Sequence, residues 1–265
     1  MANDSSVLAL TEHRIDEALV LRAAVHGATA LNVIDQDIML AARAEFVDLL
    51  ARPGLRCVLL TGATARAFIG GANLHALRTL NSDTAETFIR SVHDFCAALR
   101  LAPVPVIAVM RGHCLGAGLE IAASCDLRIG DYSVRAGMPE VRVGVPSVIE
   151  AALLPSLIGW GKARELLLRG HIIAAEEAHR IGLLQHLVDP AELDDLALTI
   201  ARDIVAAAPG ALATQKQLFV QWQDSSSMSA AIEHGVQAFI GTYATSSEPA
   251  IYAARFFAGR TPRNN

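Results

Sequence analysis

Apolar and polar positions split the chain into a long stretch of alternating strand and helix patterns and a helical tail. "VLALTEHRIDEALVLRAAV", from Val7, reads as two short strands around a polar turn. In "NVIDQDIMLAARAEFVDLLARPG" the apolar residues Ile34, Ile38, Leu40, Ala41, Phe46, Leu49 and Leu50 recur at helical spacing, and "RPG" ends the run. "LRCVLLTG" is continuously apolar and stops at glycine, the pattern of a strand covered on both faces. "ARAFIGGANLHAL" follows, with its glycine pair in a loop. "TAETFIRSVHDFCAALR" predicts an amphipathic helix with Thr84 as N-cap and Glu86 close behind. "VPVIAVM" then reads as strand, "RGHCLGAG" as loop, "LEIAASC" as helix and "DLRIG" as strand; "VRAGMPEVRVGV" reads as a short strand and loop.

From Pro146 to about Gly182 the pattern is helical, and "GLLQHLVD" is a last strand. From Ala191 onward every segment reads as helix, broken by "APG" at 208–210 and "TSSEP" near 245–249. Alternating strands and helices predict an α/β fold with mostly parallel sheet and helices on its faces. The expected division is an α/β core over 1–190 and a C-terminal helical region over 191–265.

Composition adds one expectation and removes two. Of 265 residues, 52% are hydrophobic and 18% charged, against an ordinary charged share of about 25%. A monomer this poor in charge exposes much apolar surface, so self-association is expected. The formal net charge of −5 excludes a non-specific nucleic-acid binder, and no apolar run reaches the roughly 18 residues of a membrane span. "MANDSSVLALTEHRIDE" lacks the pattern of a secretory or transit leader, which predicts a cytoplasmic protein. Cys57, Cys96, Cys114 and Cys125 form no C-x-x-C pair and read as buried thiols in a reducing compartment.

The chemistry concentrates in "RGHCLGAGLEIAASCDLRIG", from Arg111, which admits three readings. A dinucleotide fingerprint built on Gly116 and Gly118 requires Gly or Ala at position 121, where Ile121 stands. A cysteine nucleophile elbow at Cys114 has the strand before it and the helix after it, but no clear base; His171 is the best placed. The third reading adds two stretches, "AFIGGANL" and "GMPEVRVGV". Two glycine-rich loops then leave backbone N–H groups free at the ends of strands, one at a helix start, and two acids, Glu120 and Glu140, lie near them. Convergent N–H groups stabilise a developing oxyanion, and paired acids remove and deliver protons. The plainer alternative leaves Glu120 in a helix first turn and pairs Glu140 with Arg142 or Arg135.

The set "AFIGGANL", "PVIAVMRGHCLGAGLEIAASCDLRIG", "AGMPEVRVGV" and "AHRIGLLQHLVD" resembles the crotonase, or enoyl-CoA hydratase/isomerase, superfamily, with likeness from "ALNVID" at Ala30 to "FFAGRTP" near the C-terminus. The resemblance implies a spiral of ββα units whose C-terminal helices build a homotrimer or a dimer of trimers. It implies an acyl-CoA substrate of the kind met in fatty acid metabolism, with no separate cofactor and no metal, since CoA enters as part of the substrate. It implies an oxyanion hole of two backbone N–H groups at Ala72 and Ala117, and catalytic carboxylates at Glu120 and Glu140 flanking a water. Further substrate contacts are implied at Ala30, Gly70, Gly71, Asn73, Leu74 and Gly116. Alanine at 117, where the family usually has glycine, requires dihedrals with negative φ there.

The implied reaction is hydration of a 2-enoyl-CoA. An isomerase, decarboxylase or thioester hydrolase of the same superfamily, a Cys114 thiol hydrolase and a non-catalytic CoA-binding protein are the alternatives. Many hydratases carry a glycine-rich loop ending in arginine where this chain has "PSVIEAALLPSLIGWG". Glu150, a third acid in that segment, is expected to face solvent from a helix. Arg255 and Arg260 are expected near CoA phosphates.

Overall fold

The structure, a computed structural model, describes residues 6–258. Its strands and helices in chain order are β1 (Leu8–Ile15), β2 (Ala18–Val25), α1 (Gln36–Leu50), β3 (Leu55–Gly62), β4 (Ala67–Ile69), α2 (Leu74–Leu77), α3 (Ser82–Leu101), β5 (Val106–Met110), β6 (His113–Leu115), α4 (Ala117–Ser124), β7 (Leu127–Asp131), β8 (Arg135–Gly137), α5 (Leu154–Arg169), β9 (Ile172–Ala174), α6 (Ala175–Arg180), β10 (His186–Val188), α7 (Leu193–Ala206), α8 (Pro209–Asp224), α9 (Met228–Thr245) and α10 (Glu248–Ala258). Two 3₁₀ turns, Glu140–Val143 and Ile149–Leu153, lie between β8 and α5.

The strands form two sheets. One has the order β1-β2-β3-β5-β7-β10, parallel except for the β1–β2 hairpin, and the other the order β4-β6-β8-β9. Strands β3, β5 and β7 of the first sheet are each followed by a strand of the second, so the chain spirals through repeated turns of two strands and a helix. The spiral follows from burial. In β5 the side chains of Val106, Ala108 and Met110 join the main core, while Ile107 and Val109 join a second cluster on the opposite face. That second cluster is covered by Leu193, Ala197 and Ala201 of α7. With both faces covered, alternation of polar and apolar residues is lost, as the continuous run "VIAVM" foreshadows. The hairpin strand β1 is the sheet edge and is mostly exposed, with charged residues that discourage edge pairing.

On the main-core side, α1 and α3 pack together, with the rings of Phe46 and Phe95 edge to face at 6.0 Å. The buried stripe of α1 is Met39, Ala42, Phe46 and Leu49, so the predicted Leu40 faces solvent instead; a helix with apolar residues on adjacent positions leaves its phase ambiguous. The α3 N-cap is Asn81, not Thr84: the Asn81 side chain accepts from the Thr84 amide, and the Thr84 hydroxyl accepts from the Asn81 amide. This reciprocal capping extends the helix a turn beyond the predicted start. Three further differences concern short elements. "AFI" and "HCL" are strands, not loop; "IIA" interrupts the stretch predicted helical from Pro146; and α8 and α9 are separate helices with a break at 225–227.

Helix α8 is tied to the core by Lys216. Its Nζ pairs with Asp126 and lies 3.4 Å from the Leu99 carbonyl, while Asp126 also accepts from the Val106 amide at 2.7 Å. By contrast α9 and α10 have no buried residue, and Met228, Ile232, Phe239, Tyr243, Phe256 and Phe257 are exposed on them. Among the described residues no single helix is long and apolar enough to cross a membrane.

Candidate active site

The second sheet ends where the helices begin, and a cavity of about 780 Å³ opens there. Its floor is built from two strand-to-helix junctions. After β4 the chain passes through Gly70 and Gly71 to Ala72, and after β6 through Gly116 to Ala117, the first residue of α4. Gly71 has φ +103° and Gly116 has φ +52°, backbone that L side chains rarely adopt. Each positive-φ glycine turns the following amide out of the strand ladder. Among the described residues neither the Ala72 nor the Ala117 N–H donates a hydrogen bond within the chain, although buried amides are nearly always paired. Ala117 itself is not among the positive-φ residues, so the condition for alanine at this position is met. Gly118, one residue on, has no room for a side chain, since a Cβ there would lie 2.1 Å from the Ile69 carbonyl. This close approach seats the start of α4 against β4.

Both predicted carboxylates line the same cavity. Glu120, in the first turn of α4, is 4% exposed and accepts the Ala151 N–H at 3.0 Å. Burial pushes its carboxyl up to about 8; the Ala151 amide pulls it down, and the charges of Glu140 and Glu150 push it further up. Glu140 opens the 3₁₀ turn after β8 and is half-buried. Its Oε2 accepts the Ser147 hydroxyl at 2.8 Å, and burial raises its carboxyl above the ordinary value, partly offset by hydrogen bonds from its own amide and Ser147. A Cβ at Gly116 would lie 2.4 Å from Glu140 Oε1, so that oxygen sits over the glycine that precedes the free Ala117 amide. Glu140 pairs with neither Arg142 nor Arg135, whose guanidinium groups donate to the Arg169 carbonyl and to the Tyr132 and Val134 carbonyls.

Of the other predicted contacts, Gly70, Gly71, Asn73, Leu74 and Gly116 line the cavity. Asn73 also caps α2, accepting from the His75 amide at 3.0 Å. Ala30 does not line it; the residue is exposed, its carbonyl accepts the Thr64 hydroxyl, and its neighbours Thr29 and Leu31 reach the cavity instead. The end of the cavity along α2 and α3 is apolar, formed by Leu77, Leu80, Phe88, Ile89 and Val92. Arg255 lies outside this cavity within the chain, its guanidinium over the Tyr252 ring at 4.9 Å, and Arg260 lies outside the described residues.

Cys114 faces inward from β6, fully buried, with its thiol pushed far up by burial, so no thiolate forms there at neutral pH. Among the described residues no group of three His, Cys, Asp or Glu is arranged to hold a metal.

Glu150 departs from its expectation. It is 2% exposed, in the Ile149–Leu153 turn, with His93 Nδ1 at 2.9 Å and Arg100 Nη1 at 3.4 Å. The partners of the two cavity carboxylates, Ser147 and the Ala151 amide, were likewise not legible. Both belong to the segment that departs from the glycine-rich pattern, and nothing local marks it as folding back onto α4.

Residues 17–253 match the family described as enoyl-CoA hydratase/isomerase. The chain is 34% identical over 202 residues to the short-chain-enoyl-CoA hydratase of Clostridium acetobutylicum, covering 76% of this chain and 77% of that one. It is 32% identical over 212 residues to the (E)-benzylidenesuccinyl-CoA hydratase of Thauera aromatica, covering 78% and 79%. Among solved structures, the enoyl-CoA hydratase from Bacillus anthracis has a TM-score of 0.86 at 25% identity, covering 97% of this chain and 98% of that one.

Proposed function

The chain belongs to the enoyl-CoA hydratase/isomerase family, and we propose that it adds water to the double bond of a 2-enoyl-CoA thioester. The observation that carries this reading is the meeting in one cavity of two carboxylates and two unpaired amides, each amide following a positive-φ glycine. The Ala72 and Ala117 N–H groups receive the thioester oxygen. A water lies between Glu120 and Glu140. One ionised carboxylate takes a proton from the water as its oxygen bonds to C3. The C2–C3 π electrons move toward the thioester, and the negative charge collects on its oxygen against the two amides. The protonated carboxylate then delivers its proton to C2 as the enolate collapses. The pair ends with one proton, as it began. Glu120 and Glu140 act as one coupled unit, with the more deeply buried Glu120 retaining the proton at neutral pH in the free site. The apolar wall of Leu77, Leu80, Phe88, Ile89 and Val92 supports an apolar acyl chain.

The direct test is loss of enoyl-thioester absorbance with crotonyl-CoA and longer 2-enoyl-CoAs, run beside an assay for free CoA. Hydration without CoA release is expected. Glu140→Gln is expected to lower kcat by about 10²–10⁴ with KM changed only a few-fold, because general acid–base help is realised in the transition state. An enzyme with no turnover of any 2-enoyl-CoA would sink the hydratase reading. Full isomerase activity surviving Glu140→Gln would redirect it.

The same proposal extends to assembly and setting. The exposed apolar side chains of α9 and α10, Phe239 at 67% among them, support self-association, because patches of this kind mark subunit contacts, and the family resemblance gives its form as a homotrimer or a dimer of trimers. Sedimentation at micromolar protein is expected to give a trimer or hexamer mass, and a monomer mass would reject this. The unpaired buried cysteines support a reducing, cytoplasmic setting.

A further inference from the structure

Behind Glu120, away from the cavity, lies an acid with no part in the reaction as written. Glu150 is nine-tenths buried and more, yet only one of its oxygens is partnered: Oε1 faces His93 Nδ1 at 2.9 Å and Arg100 Nη1 at 3.4 Å, while Oε2 is buried without a hydrogen bond. The next residue, Ala151, gives its N–H to Glu120 Oε1. The preceding one, Ile149, has φ +39°, which a β-branched side chain resists, so surrounding contacts must hold it. The turn is therefore strained on one side of Glu150 and donates to a site carboxylate on the other.

A buried, half-satisfied carboxylate is costly to keep charged. A glutamine would meet the same donors without that cost, so hydrogen bonding alone does not account for the acid. We propose that Glu150 is a positioning residue: anchored by Arg100 and His93, it holds the Ile149–Leu153 turn so that the Ala151 N–H meets Glu120. Its charge, next in the chain to that amide, also bears on the Glu120 carboxyl. The proposal rests on the hydration reading for its consequence, not for its geometry.

The other groups bearing on Glu120 are few. Glu140 adds negative charge from its own 3₁₀ turn, and Cys96 on α3 is held as a neutral thiol by burial first and then by Glu150 and Glu120. Strand β4 carries no charged side chain, and His113 on β6 turns to the Arg66 carbonyl. On α3, Glu86 and Arg90 pair with each other. Glu150 is thus the acid whose removal changes the field at Glu120 while leaving the cavity lining intact.

The test uses the full-length protein with ¹³C-labelled glutamate, following the Glu120 carboxyl by NMR and assigning it with Glu120→Gln. Glu150→Gln is expected to lower the Glu120 titration midpoint by about one pH unit, the ordinary scale of a neighbour's effect, and to move the corresponding limb of the kcat/KM profile by the same amount. Glu150→Asp keeps the charge but shortens the arm; as the turn shifts and the Ala151 amide draws back from Glu120, it is expected to lower kcat by about tenfold and to raise the midpoint instead of lowering it. An unshifted midpoint in folded Glu150→Gln overturns the electrostatic role, and wild-type kcat in Glu150→Asp overturns the positional one. If the wild-type protein hydrates no enoyl-CoA, the reading of the reaction fails, while the NMR titration still decides the role of Glu150.

Discussion

Glu120→Gln is expected to lower kcat by about 10²–10⁴ and, at the same time, to make the protein more stable at alkaline pH. Both effects arise from the burial of one carboxylate. The amide keeps an acceptor for the Ala151 N–H and the volume of the side chain, but cannot exchange a proton with water or C2. The stability effect has a definite sign. The folded-state value of about 8 lies above the ordinary 4.5. Below 4.5 both folded and unfolded chains hold the proton and Glu120 costs nothing. Between 4.5 and 8 the unfolded chain releases it while the folded chain keeps it, so stability falls as pH rises through this window, and the full cost is reached above 8. Glutamine removes that cost. A Tm gain of about 5 °C or more at pH 8.5, vanishing near pH 4.5, is expected for a chain of this size. Thermal melts of wild type and variant across pH check it. Equal Tm values at pH 8.5 would show that Glu120 ionises without penalty.

Replacing Ala117 with proline is expected to cost about 10²–10³ in kcat, the effect of one oxyanion donor, while leaving the fold in place. Proline is ordinarily a blunt probe of a helix. Position 117, however, is the first residue of α4, where proline is favoured and its missing N–H is not needed by the helix. The preceding Gly116 has no Cβ to collide with the ring. The substitution therefore leaves the helix in place while a ring methylene replaces the amide hydrogen proposed to face the thioester oxygen. Ala117→Gly, which keeps the N–H, is the control and is expected to retain most activity. If folded Ala117→Pro, judged by circular dichroism and Tm, turns over at the wild-type rate, this amide is not part of an oxyanion hole.

Much of this architecture was legible because its signals are local. The run "LRCVLLTG" is apolar throughout because β3 is covered on both faces. The two glycine-rich loops advertise turns that free an amide, and the family resemblance assigned Ala72, Ala117, Glu120 and Glu140 to them; the cavity gathers all four positions. The second sheet was less legible. Its strands are three residues each, too short to show a period of two, and their hydrogen bonds go to segments far away in the chain. The phase of α1 and the true N-cap of α3 were missed for a related reason: Met39 and Leu40, or Asn81 and Thr84, are equally acceptable locally, and packing or reciprocal capping chooses between them.

The sequence by itself determined the class of fold and the alternation of strand and helix, and its resemblance to the family pointed to the two glycine-gated amides and the two cavity acids. These depend on residue type and short-range geometry: which residues tolerate positive φ, and which runs must be buried. Only the tertiary structure decided what surrounds those acids. Glu150 reads along the chain as a polar residue of a surface helix, yet it is buried because the Ile149–Leu153 turn folds onto α3 and α4, bringing Arg100 and His93 to it and the Ala151 amide to Glu120. Burial and the field of neighbouring charges are sums over contacts distant in sequence, and they alone raise the Glu120 carboxyl to about 8.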